Sequence, residues 1–183
     1  MSNTIQNEII EQFAHSVLAE IVRDASNSFS LGLIADSTTD ISGQEQFTIC
    51  IQYTNEKMEP VNSFLGYYNA PDSSGSTLAN VIRDVLIRNN LPLSKVIGYS
   101  FDTASNMSGR YQGVQARLAE DCPYALYVPC SNHSLDLVLQ EISRDINSVA
   151  DAIVFVKDVA NIIRESSKRR GLYKSLFDIG EDV

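Results

Sequence analysis

Two aspartates stand where short apolar runs give way to small polar residues. Leu31-Gly-Leu-Ile-Ala35 leads into Asp36-Ser-Thr-Thr-Asp40, and Val96-Ile-Gly-Tyr-Ser-Phe101 leads into Asp102-Thr-Ala-Ser-Asn106. If the two runs are neighbouring strands, both carboxylates can point into one cleft. Carboxylates so close repel one another, and burial raises their pKa values. A divalent cation removes that conflict. Mg²⁺ takes oxygen ligands and binds through one or two carboxylates plus substrate phosphates. Two such ions about 3.5–4 Å apart clamp the attacking and leaving oxygens of phosphoryl transfer. The simpler reading is that each aspartate caps the turn or helix that follows, and spacing alone favours it. Two acids are also one short of the set a two-metal site normally holds.

Other chemistry-bearing residues are sparse. Cys130-Ser-Asn-His133 offers a Cys-x2-His pair, but structural zinc wants four ligands and neither a CxxC nor an HxxxH accompanies it. A hydrogen-bonded structural histidine is the favoured reading of His133. His15, between Ala14 and Ser16, reads as structural or solvated. Gly109-Arg-Tyr-Gln-Gly113 matches neither a phosphate-binding loop nor a dinucleotide fingerprint.

The elements that must position these residues follow from periodicity. Ile5, Ile9, Phe13, Val17 and Ile21 recur every four residues, predicting an amphipathic helix over 4–25. The 31–35 run predicts a buried strand that stops at a polar turn. Gln46–Tyr53 alternates and Val61–Tyr68 follows a turn, so 31–68 reads as an antiparallel meander. Ser76 or Thr77 can cap a helix bearing Leu78, Val81, Ile82, Val85 and Leu86. Then come a strand over 96–101, a turn over 105–109, a short helix over 112–119 and a strand over 125–128. Helices over 133–143 and 147–167 close the chain. In the latter, Val149, Ile153, Val156, Ala160 and Ile163 form a stripe that wants a partner face. A meander followed by strand–helix–strand crossovers makes an α/β fold: a mixed five-stranded sheet flanked by helices.

Composition bounds the function. The 183 residues suit one domain with a sizeable core. No run approaches the roughly 20 apolar residues that span a bilayer. The N-terminus lacks a secretory pattern. Three cysteines at uneven spacing suit a reducing, intracellular compartment. A net charge of −9 excludes a surface that is basic throughout. Lys157–Lys174 is the exception, with six basic and two acidic residues, 6 − 2 = +4. Its Lys168-Arg169-Arg170 run reads either as a helix C-terminus favoured by the dipole or as a phosphate contact.

Taken in order, Leu-Ile-Ala-Asp36-Ser-Thr-Thr-Asp40-Ile-Ser, Phe-Asp102-Thr-Ala-Ser-Asn106-Met-Ser-Gly109 with Gly113-Val-Gln-Ala, and Cys130-Ser-Asn-His133-Ser-Leu-Asp-Leu resemble the hAT superfamily of DNA transposases. The nearest branch is the one shared with zinc-finger MYM-type and related domesticated transposon-derived proteins. The resemblance covers roughly residues 28–175. It implies a ribonuclease-H-like core and cut-and-paste DNA transposition with two Mg²⁺ or Mn²⁺ ions held by an Asp-Asp-Glu triad. Asp36 matches the first acid and Asp102 the second. Asp40 is a neighbour with no metal assigned. Cys130 and His133 match a motif that positions DNA and the active site without binding zinc. Transposon-end DNA and a nuclear location are implied in the same way, with Lys168, Arg169 and Arg170 as possible phosphate contacts.

The chain departs from that pattern. The third acid, a glutamate, normally follows a long helical insertion after the fifth strand, and the sequence ends at Val183 near where that insertion would begin. An N-terminal zinc finger and the insertion's tryptophan are missing; Glu141 or Asp136 could supply a carboxylate only in principle. The expected organisation is an N-terminal helix (1–27), a ribonuclease-H-like core (28–146) and a helical extension (147–183). The expectation is a fragment or truncated copy of a transposase catalytic domain, inactive in cleavage and strand transfer as it stands. The alternative is a domesticated, non-enzymatic protein- or DNA-interaction module that pairs with a partner or another copy through the 147–167 helix. An unrelated metal-binding hydrolase of the same fold is a third reading, since fold alone does not fix function.

Overall fold

Alternation decides the sheet. In a computed structural model, which describes residues 2–39 and 45–177, strand β1 (Leu31–Thr39) buries Leu31, Leu33 and Ala35 and turns Ile34 and Asp36 to the opposite face. Strand β2 (Glu45–Thr54) buries Phe47, Ile49, Ile51 and Tyr53 on the same side, paired antiparallel with β1 through Leu33–Ile51 and Ala35–Ile49. Strand β3 (Pro60–Asn69) extends the meander antiparallel to β2. Strands β4 (Val96–Phe101) and β5 (Leu126–Pro129) add in parallel on the other side of β1, giving the order β3-β2-β1-β4-β5. This is the mixed five-stranded sheet expected of a ribonuclease-H-like core.

Helices cover one face. α1 (Asn3–Asn27), α2 (Gly75–Arg88), α3 (Ser105–Ser108) and α4 (Val114–Asp121) send Ala25, Leu78, Ile82, Leu86, Met107, Val114 and Leu118 into the cluster formed by the buried side of the sheet. Only the last turns of α1 take part, through Leu18, Ile21, Val22 and Ala25; Ile5, Ile9, Phe13 and Val17 are exposed. The end of α1 is tied down by Lys95, whose Nζ donates to the carbonyls of Ser26 (2.7 Å) and Ser28 (3.0 Å), oxygens that no further helical turn would satisfy. On the other face of the sheet Ile34, Phe64, Leu126 and Val128 remain exposed.

Several boundaries differ from expectation, each for a local reason. β1 does not stop at Asp36 but runs to Thr39, because Asp36 pairs with Thr48 and Thr39 with Glu45 in the hairpin. Asp40 lies outside the described residues. The cap of α2 is Ser74, not Ser76 or Thr77: its hydroxyl accepts from the Thr77 amide (3.3 Å). Asp72 adds a second acceptor there, from the Ser74 amide (2.8 Å) and the Thr77 hydroxyl (2.9 Å).

The chain divides into two compact units, Met1–His133 and Ser134–Val183. Helix α5 (Ser131–Asp145) crosses that boundary, and α6 (Asn147–Arg164) and α7 (Ser167–Phe177) belong to the second unit. The helix expected over 147–167 is α6, which ends three residues sooner, and α7 follows it. Glu165 closes α6 and Ser166 opens α7, where its hydroxyl accepts from the Arg169 amide (3.4 Å). No residue of α5 or α6 is buried.

Gly75 fixes how closely α2 approaches the α3–α4 segment. A Cβ there would sit 2.3 Å from the Gln112 carbonyl oxygen and 2.8 Å from that of Asn106, both backbone atoms that cannot swing away. Gly75→Ala is expected to lower unfolding stability by about 1–3 kcal/mol. Gly171→Ala, in α7 with nothing within 4 Å, should be neutral or stabilising by up to about 1 kcal/mol. Urea denaturation followed by circular dichroism compares the two.

Candidate functional site

Strand direction gathers the candidate residues. β2 is antiparallel to both β1 and β3, while β4 and β5 are parallel to β1. The carboxyl ends of β1, β3, β4 and β5 therefore share one edge of the sheet, where open α/β sheets present their ligand sites. Asp36, Asp102 and Cys130 all fall on it. The β1–β4 register sets Ile34 opposite Ser100, and Asp36 and Asp102 each follow two residues further on, toward the same edge. Neighbouring strands lie about 4.8 Å apart. Asp36 is in step with Ile34 on the exposed side of the sheet, whereas Asp102 lies just past the end of β4.

Each carboxylate is oriented by one local bond. Asp36 Oδ1 accepts from the Ser37 amide (2.9 Å). Asp102, half-buried just past β4, accepts from the Ala104 amide (3.2 Å) and so shapes the turn into α3. The turn-capping reading thus describes Asp102 in part. It does not describe Asp36, which lies within a strand.

The Asp102 turn is fastened from both sides. Ser108 donates to the carbonyls of Thr103 (2.9 Å) and Ala104 (3.2 Å). Tyr127, on β5, donates its hydroxyl to the Asp102 carbonyl (3.0 Å). The Cys130 amide donates to the Phe101 carbonyl (2.9 Å), extending the ladder one residue beyond β5. Cys130 is therefore built into the backbone beside Asp102, and His133 lies half-buried in the first turn of α5. Burial raises the Tyr127 phenol pKa, and the Asp102 carboxylate raises it further, against a smaller lowering by the Ser108 hydroxyl. Tyr127 escaped the sequence reading because one tyrosine in a strand looks like any core aromatic. Only the β4–β5 pairing puts it under Asp102.

Asp72 reaches the same edge from the β3–α2 loop. Its hydrogen bonds from Ser74 and Thr77 hold its carboxyl below the ordinary range, so it adds negative charge at neutral pH. Among the described residues no three acidic, histidine or cysteine side chains gather as a metal-binding group.

Lys168, Arg169 and Arg170 belong to the second unit and lie in the first turn of α7, the end a helix dipole makes unfavourable for cations. The run does serve a helix C-terminus, that of α6 rather than of its own helix. Arg169 Nε donates to the Ile162 carbonyl and an Arg170 guanidinium nitrogen to that of Arg164, so both neutralise the C-terminus of the preceding helix. Asp136 and Glu141 are exposed on α5, and Asp136 accepts from Gln140 (2.6 Å).

Residues 1–113, more than half of the chain, match the protein family described as DUF4371: ZMYM1/FAM200, RNase-like domain. The chain is also 23% identical over 167 residues to the human protein named 52 kDa repressor of the inhibitor of the protein kinase, covering 90% of this chain and 22% of that protein. With the mouse protein of the same name it shares 21% over 165 residues, again covering 90% and 22%. The chain thus spans about a fifth of the length of these curated relatives.

Burial also raises the pKa values of Tyr68, Tyr99, Cys50 and Cys122 above the ordinary 10.0 for tyrosine and 9.0 for cysteine. A raised folded-state pKa favours the native state below the unfolded value and ceases to as pH climbs through the folded one. Stability should accordingly hold from neutrality to about pH 9 and fall above it as unfolded thiols and phenols ionise first. Urea midpoints measured from neutral to strongly alkaline pH check this. Tyr127→Phe should flatten part of the loss while costing about 1 kcal/mol at pH 7 for the missing hydrogen bond.

Proposed function

The chain belongs to the DUF4371 family, the ZMYM1/FAM200 RNase-like domain, and from that premise we propose that it is a ribonuclease-H-like domain of hAT-transposase descent that engages a nucleic-acid strand along the carboxyl edge of its sheet. The supporting observation is the β1–β4 register, which runs to Ile34 and Ser100 and so brings Asp36 and Asp102, each two residues further on, to one edge of the sheet. Two carboxylates there suit a single Mg²⁺ or Mn²⁺ completed by water and phosphate oxygens. They do not suit a two-ion clamp, which wants a third acidic ligand, and none joins them among the described residues. The ion would supply charge neutralisation for a phosphate. Asp36 and Asp102 would hold it, while Tyr127, Ser108 and the Cys130 amide keep the Asp102 turn in place. The chain by itself binds without cutting, and its location is nuclear, as suits a DNA-binding descendant.

A second reading has its own support: α5 and α6 bury no residue, and Val154, Phe155, Val156 and Ile162 are exposed. Such helices suit a protein-interaction module, in keeping with relatives named as repressors. Size-exclusion chromatography with light scattering separates the two readings. A dimer broken by Phe155→Asp supports the interaction module; a strict monomer that captures no partner counts against it.

Calorimetric titration with Mg²⁺ and Mn²⁺ is expected to show weak binding, reduced at least roughly tenfold by Asp36→Asn or Asp102→Asn. Incubation with hairpin-forming DNA should yield no cleavage. Absence of binding at millimolar metal would sink the proposed metal site. Robust cleavage abolished in Asp36→Ala would instead establish an active nuclease.

A further inference from the structure

Gly109-Arg-Tyr-Gln-Gly113 joins α3 to α4 at the same edge as Asp102. Its ends are pinned by backbone contact. A Cβ on Gly109 would meet the Ser105 carbonyl oxygen at 2.3 Å, and one on Gly113 the Gly109 nitrogen at 2.4 Å. The Gly113 amide donates to the Gly109 carbonyl (3.0 Å), closing the loop. Arg117 Nε donates to the Gln112 carbonyl (3.2 Å), and Gly75 packs against that same oxygen. Between these fixed points Arg110 and Tyr111 project outward. Tyr111 is 83% exposed, and the Arg110 guanidinium lies 5.9 Å from the centre of its ring. Neither side chain is buried in the core.

The loop carries its own positive charge beside an edge that also holds Asp102 and Asp72. From Thr103 to Ala119 the charged residues are Arg110 and Arg117, both basic, in a chain of net charge −9. An exposed aromatic ring carried on a pinned backbone, with a cation on one side, suits a ligand that combines a flat π face with negative charge. An unstacked base and its phosphate have that combination, and base–aromatic stacking tolerates any sequence. A pinned loop also loses little conformational entropy when it binds.

We propose that Arg110 and Tyr111 form a clamp for one unstacked base and the adjoining phosphate of a nucleic-acid strand lying along the Asp36–Asp102 edge. Tyr111 stacks on the base and Arg110 reaches the phosphate. The clamp rests on the strand-binding function proposed above and adds which residues grip the strand and through which chemistry.

Fluorescence anisotropy of the full chain with short single-stranded DNA and RNA tests it. Tyr111→Ala should weaken binding roughly tenfold, whereas Tyr111→Phe, which keeps the ring, should bind as wild type does. Arg110→Gln should weaken binding and reduce the salt slope by about one. Tyr124→Ala, at an exposed tyrosine that precedes β5 and so lies toward the opposite edge, should change nothing. Wild-type binding with unchanged affinity in Tyr111→Ala overturns the clamp and leaves strand binding intact. No binding of either nucleic acid by the wild type removes strand binding and the clamp together. The DNA and RNA arms show which strand is preferred.

Discussion

The parallel pairing of β1 with β4 is the contact on which the other features depend. Residues 40–95 separate the two strands, yet Ile34 faces Ser100 across the ladder. That register makes β1 the central strand, with the meander on one side and the parallel pair on the other. It sends four strand ends to one edge and brings Asp36 and Asp102 to that edge. Parallel strands cannot be joined by a tight turn, so this pairing also requires the intervening β2–β3 hairpin and α2. These in turn supply the core residues Ile49, Ile51, Leu78, Ile82 and Leu86.

Holding two carboxylates at one edge costs electrostatic repulsion, and the structure limits it in two ways. Asp36 is exposed, so water screens it. Asp102, half-buried, spends one oxygen on its own turn, and that turn is fixed by Ser108, Tyr127 and the backbone of Cys130. The glycines around it have the same effect on the other side of Asp102. Gly75, Gly109 and Gly113 let three backbone segments approach within distances no side chain would permit.

The two units differ in how their apolar residues are used. In the first, alternation and helical periodicity converge on a buried cluster. In the second, α5 and α6 carry amphipathic stripes but bury nothing. Periodicity reads α6 nearly to its end, and the Ser166 cap then starts α7. Arg169 and Arg170 then serve the end of α6 from within α7, a role invisible to a count of charges.

The sequence by itself determined the order and type of nearly every element. A period of two or of about 3.6 in apolar residues is written locally, and burying those residues leaves little choice between strand and helix. It also singled out Asp36 and Asp102, because small polar residues directly follow two apolar runs. Tertiary structure alone decided what depends on register: that Asp36 sits inside a strand, that it shares a sheet edge with Asp102, that Tyr127 supports the Asp102 turn, and that Arg110 and Tyr111 project from a pinned loop at the same edge. Those relations join residues far apart in the chain. They are fixed by which backbone groups meet across the sheet, and no local pattern of side chains encodes that.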